Sequence, residues 1–105
     1  MSVKIKLDAI EQIVKTLESS SELERFQSYA TIKVLTDELA EYAESTDLPH
    51  GLIREKITEL LEACRRLAYL SDRGTRDDSW YISEAYGALQ RLASVHCFNI
   101  RHASS

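Results

Sequence analysis

Three histidines and two cysteines are the residues of this chain best equipped for chemistry, and their spacing decides which chemistry is open to them. His50, His96, His102, Cys64 and Cys97 include the nitrogen and sulfur ligands that a zinc site uses. A closed zinc site draws them from pairs a few residues apart, and no such pattern is present. His96 and Cys97 are adjacent, so on a helix they point about 100° apart. Serines are plentiful, yet none stands in a nucleophile elbow, and there is no glycine-rich phosphate loop. The expectation is a protein with no catalytic residue, no metal and no cofactor. Cys64 and Cys97 both fall inside predicted helices and read as a reduced pair rather than a disulfide.

His50 opens a predicted helix in the stretch "PHGLIREK". The placement resembles the histidine phosphotransfer helix, although Leu52, Ile53 and Arg54 stand where that family carries a lysine and small residues. That resemblance implies phosphoryl transfer through His50 as an alternative function. The plain alternative is a surface histidine in a first helical turn.

The bulk properties narrow the partners. One hundred and five residues suit a single domain that buries roughly two-thirds of its unfolded surface. A net charge of −4 argues against nucleic-acid binding, which calls for a clustered basic excess. No apolar run is long enough to span a membrane, and the first residues lack the apolar core of a secretory signal, so a cytoplasmic protein is expected.

With three Gly and one Pro, the chain has little material for β-turns, and long helices follow. The first is expected to begin after Asp8, with Glu11 as the reciprocal capping partner, and to reach about Glu18. Ser21 and Glu24 form a capping box for a second helix continuing to about Ser45. Asp47 and Pro49 start a third, with Ile53, Ile57, Leu60, Leu61, Cys64, Leu67 and Ala68 on one stripe and Gly74 as its stop. A fourth follows "TRDDS", capped by Asp78 or Ser79, with Tyr81, Ala85, Ala88, Leu92 and Val95 facing inward. Short connections imply antiparallel neighbours, so the predicted fold is all-α, a small four-helix arrangement with a short first helix, forming one domain over residues 1–105.

Two periodicities compete in "SVKIKLD". Val3, Ile5 and Leu7 alternate with Lys4 and Lys6 as an edge strand would, and residues 1–7 could then form an extended arm paired with another chain. Val3, Leu7, Ile10, Val14 and Leu17 also step as a helix seam, in which case the first helix simply starts earlier.

The second helix carries apolar residues on two sides. Leu23, Phe26, Ala30 and Val34 lie along one, while Ile32, Leu35, Leu39 and Tyr42 lie nearly opposite. Either both pack within one subunit, or one face meets a second copy, and a homodimer through Leu35, Leu39 and Tyr42 is the reading adopted. Asp37, Glu38, Glu41, Glu44 and Asp47 follow without an intervening basic residue, at a helix end where the dipole disfavours anions. Glu38 and Glu41 thus become candidates for receiving a basic partner patch. Arg65, Arg66, Arg73 and Arg76 read as surface charges around the end of the third helix. On the outer side of the fourth, Trp80, Glu84, Gly87, Arg91 and Phe98 align, and Trp80, Gly87, Arg91 and Phe98 are the candidate recognition residues, since Trp and Arg dominate interface energetics.

In the C-terminal half, "LLEACRRLAYLSDRG" followed by "DDSWYISEAYGALQRL" resembles a two-helix pattern of small helical proteins of pseudomonads, among them QslA-like quorum-sensing anti-activators. Leu60, Leu61, Ala63, Cys64, Leu67, Ala68, Trp80, Ala85 and Leu89 carry it. The resemblance implies a small anti-activator that binds the ligand-binding domain of a transcription factor. The expected function is therefore a non-enzymatic protein-interaction module, a regulator or inhibitor that occludes a partner protein. A self-assembling structural subunit is the further alternative.

Overall fold

The first helix settles the competition at the N-terminus. The computed structural model of the chain describes residues 3–46 and 48–104, and the side chains of those up to residue 95. Helix α1 runs Val3–Thr16, and Val3, Leu7, Ile10 and Val14 on its inner seam are all buried, followed by Leu17 in a short 3₁₀ turn over Leu17–Ser19. Burying such a side chain is worth about 1.5–3 kcal/mol, so a helical seam of five outweighs a strand that offers three. The extended arm over residues 1–7 is thus corrected where the chain is described, and Met1 and Ser2 lie outside the described residues. Asp8 consequently sits inside the helix, paired with Lys4 at 3.7 Å one turn back, and does not cap it.

Helix α2, Glu22–Ser45, starts as expected. Ser21 accepts a hydrogen bond from the Glu24 amide at 3.2 Å, and Glu24 accepts one from the Ser21 amide at 2.8 Å. That reciprocal bond holds the Glu24 carboxyl below its usual pKa. Helix α3 spans His50–Leu67 and starts without a side-chain cap, its first turn closed by the Ile53 amide donating to the Pro49 carbonyl at 3.1 Å. Asp47, an expected starter, lies outside the described residues.

The end of α3 departs from expectation. Gly74 does not stop it; the helix ends at Leu67 because Tyr69 adopts the left-handed conformation, φ 61°. The Leu70 amide then donates to Arg65 O at 2.8 Å and the Tyr69 amide to Arg66 O at 3.2 Å, a Schellman closure with tyrosine where glycine is usual. Helix α4, Asp78–Ser104, is capped by Asp77, whose carboxylate accepts from the Trp80 amide at 3.1 Å, and not by Asp78 or Ser79. Asp78 is released for another task.

The four helices close a ring: α3 packs most extensively on α4, α2 lies on α3, and α1 touches both α4 and α2. The fold is all-α, with no strand among the described residues. The core stripes of α3 and α4 are those the spacing predicts, with Leu61 and Val95 at their half-buried margins. Lys6 of α1 reaches Glu38 of α2 at 3.1 Å. No described helix is long and apolar enough to cross a membrane.

Tyr69 supplies a test of the α3 end. Its ring lies beside the guanidinium groups of Arg73 and Arg25, 4.9 and 5.7 Å from the ring centroid. Those contacts are worth about 0.5–1 kcal/mol each, offsetting a left-handed strain of about 1–2 kcal/mol. Tyr69→Ala keeps the strain and loses the ring, whereas Tyr69→Gly loses both. Glycine should therefore be the more stable of the two by about 1 kcal/mol in urea titrations.

Candidate functional site

Helix α2 turns inward the face that the sequence assigns to a partner. Leu39 has no exposure and Leu35 is half-buried against the core; only Tyr42 of that apolar group keeps a large exposed area. Ile32, Thr36 and Ala43 share the inner side with Leu39. What remains outside is the opposite stripe, in which Leu23, Phe26 and Val34 are 67%, 51% and 57% exposed, with Ala30 exposed between them. A dimer through Leu35 and Leu39 would require the core to open. Both choices were consistent with the sequence, because two apolar stripes on one helix do not say which one its neighbours will cover.

The acidic run that follows is largely satisfied by the chain's own cations. Asp37 pairs with Lys33 at 2.7 Å, Glu38 with Lys6, and Glu44 with Arg54, whose hydrogen bond and charge hold the Glu44 carboxyl below its usual pKa. Glu41 is exposed with no ion-pair partner among the described residues.

A polar clamp, unanticipated from the sequence, fixes the start of α4. Arg25 is buried, and its guanidinium donates to Glu18 O at 3.2 Å, Ser20 O at 3.3 Å, Leu67 O at 3.1 Å and both oxygens of Asp78 at 3.2 and 2.8 Å. All five of its N–H donors are thereby used. Arg73 adds a second ion pair to Asp78, and the Tyr81 hydroxyl donates to the Arg73 carbonyl. Hydrogen bonding to Arg25, with Arg73 assisting, holds the Asp78 carboxyl below its usual range against the opposing effect of burial. Two ion pairs hold this carboxylate ionised and in place, so the cluster positions the start of α4. Arg73 is thus no simple surface charge. The missed signal is that Arg25 lies on the same α2 side as Ile32, Thr36 and Leu39.

The clamp presents Trp80 at the mouth of a groove between α3 and α4. The groove has a volume of about 440 Å³ and is lined by Glu59, Glu62 and Arg66 of α3 and Trp80, Glu84 and Arg91 of α4, with Ala63 and Ala88 at its floor. Trp80 is 42% exposed, and the Arg76 guanidinium lies 4.0 Å from its ring centroid. Arg66 pairs with Glu62 at 3.0 Å, and Arg91 reaches Glu59 at 3.7 Å. The sequence placed Trp80 and Arg91 on one outer face, and they do share this groove. A methyl group at Gly87 would meet only the Arg91 guanidinium, 3.3 Å away, so the space at Gly87 is taken by the chain's own arginine. The side chain of Phe98 lies outside the described residues.

The remaining candidates separate. His50 is exposed at the first position of α3. Cys64 is a free thiol deep in the core, where desolvation pushes its pKa up to about 12, so it remains protonated and inert at neutral pH. The side chains of His96, Cys97 and His102 lie outside the described residues, and among those described no three metal-ligating side chains come together. A second groove, of about 540 Å³, runs between α1 and α2 past Thr16, Ser19, Ser20 and Thr31. Those hydroxyls donate to carbonyls of their own helices and turns.

No protein-family model, curated protein or solved structure matches this chain.

Proposed function

We propose that this chain is a non-enzymatic protein-interaction module, a small regulator or inhibitor that covers part of a partner protein's surface. The partner class implied by the resemblance of α3 and α4 is a transcription factor. The observation that carries the reading is Trp80, half-exposed on the rim of the α3–α4 groove among charges of both signs. Trp and Arg are the side chains that contribute most when an interface closes over them. A groove open to solvent does not exclude water, which suits recognition better than chemistry.

The test is affinity purification of the tagged full-length chain, comparing wild type with Trp80→Ala and Arg91→Ala. A specific partner should be retained by the wild type and reduced at least about tenfold by Trp80→Ala, the equivalent of about 1.4 kcal/mol, while the circular dichroism of the variant stays unchanged. Equal retention by all three proteins removes the groove from recognition. Phosphoryl transfer is a second reading, favoured by the exposure of His50 at the start of α3. Acid-labile phosphate on His50 would decide for it.

A further inference from the structure

We propose that the outer stripe of α2 seats a second copy of this chain, packed antiparallel about a two-fold axis near residue 28. Leu23, Phe26, Ala30 and Val34 fall within about 80° of arc on α2, and three of them are large and more than half exposed. None of them lines the α3–α4 groove, so the inference is independent of the function proposed above.

The charges beside the stripe select the occupant. Glu22 and Lys33 are exposed on the same edge, only about 20° apart in projection, at opposite ends of the apolar segment. A two-fold axis across antiparallel helices keeps like edges together. Glu22 of each copy therefore approaches Lys33 of the other, and the complementary contact is made twice. The same alignment sets Phe26 against Ala30 and Leu23 against Val34 of the second copy, within one residue of a common centre. Ala30 lets the helices approach closely where they cross. Lys33 already holds Asp37, but an ammonium has three donors and can serve both carboxylates. A parallel arrangement would instead bring Asp37 and Glu41, which continue the stripe toward the end of α2, against their own counterparts.

A foreign basic helix fits less well. Asp37, Glu38 and Glu44 are already paired with Lys33, Lys6 and Arg54, leaving Glu22 and Glu41 as the acids near the stripe with no ion pair among the described residues. Between Glu22 and Val34 the stripe is edged by one acid and one base, which is a self-complementary pattern.

Sedimentation equilibrium of the full chain at low salt tests this. The wild type should show twice the 12.0 kDa chain mass at micromolar concentration. Phe26→Asp should return it to the monomer with unchanged helix content. Glu22→Lys and Lys33→Glu should each weaken self-association about tenfold, since each disturbs two equivalent pairs, and mixing the two variants should restore a dimer containing one of each. A wild type that stays monomeric at several hundred micromolar overturns the proposal, as does a dimer indifferent to Phe26→Asp. Single charge variants that dimerise like the wild type overturn the antiparallel alignment. A monomer that binds a lysine-rich amphipathic peptide through Phe26 assigns the stripe to a foreign partner and overturns the proposal too.

Discussion

Replacing Arg25 by alanine should lower the free energy of unfolding by about 3–5 kcal/mol, the cost of breaking a buried, hydrogen-bonded ion pair by removing one partner. The substitution strips donors from three carbonyls, Glu18, Ser20 and Leu67, and removes one of the two cations facing Asp78. Arg25→Lys retains the charge but cannot span acceptors arranged for a planar fork, so it should recover only part of the loss. Urea denaturation followed by circular dichroism measures both; a loss below 1 kcal/mol for Arg25→Ala would mean the clamp adds little to stability. The pH dependence has a defined sign. The folded-state pKa of Asp78 lies below its usual 3.8, so its contribution is complete above that value and disappears as pH falls through the folded pKa. Asp78→Asn should flatten the acid limb of the stability curve below pH 3.8. With Asp78 31% exposed, screening keeps that flattening modest.

Leu39→Ala should cost about 2–5 kcal/mol, as expected where a fully buried leucine is truncated and a cavity remains. Val34→Ala, on the outer stripe of the same helix, should stay within about 0.5 kcal/mol when measured at concentrations too low for self-association. The contrast tests the orientation of α2. If the two costs proved equal, or their order reversed, α2 would be rotated from the arrangement described here.

The elements were legible where local chemistry suffices to specify them. Ser21 and Glu24 satisfy each other through neighbouring atoms, so the start of α2 could be read directly. The inner stripes of α3 and α4 have no competing apolar side, so their periodicity identified the core. Where two local devices were available, the chain could use either. Asp8 has the chemistry of a cap but meets Lys4, and Gly74 has φ +60° in a loop while Tyr69 takes the left-handed position that ends α3. Neither choice is visible in composition, because burial of Val3 and stacking on Tyr69 decide them from a distance. The candidate site divides the same way. Trp80 and Arg91 share a face through their spacing alone, but the α3 carboxylates opposite them become neighbours only on packing. Arg25 reads as one charged residue among many until its alignment with Ile32 and Leu39 is noticed, and its acceptor Asp78 lies 53 residues away.

That separation leads to a kinetic prediction for Arg25. Two of its acceptors are local, but Leu67 and Asp78 lie 42 and 53 residues along the chain, and both are in reach only after α3 and α4 have docked on the start of α2. If these bonds close after the folding transition state, removing them leaves the refolding rate nearly unchanged and accelerates unfolding. At 3 kcal/mol the acceleration is on the order of 100-fold. In stopped-flow measurements the folding limbs of the wild type and Arg25→Ala should superimpose while the unfolding limbs separate. A folding limb slowed by Arg25→Ala would instead place these bonds inside the transition state, and native lifetime and folding speed would then depend on the same side chain.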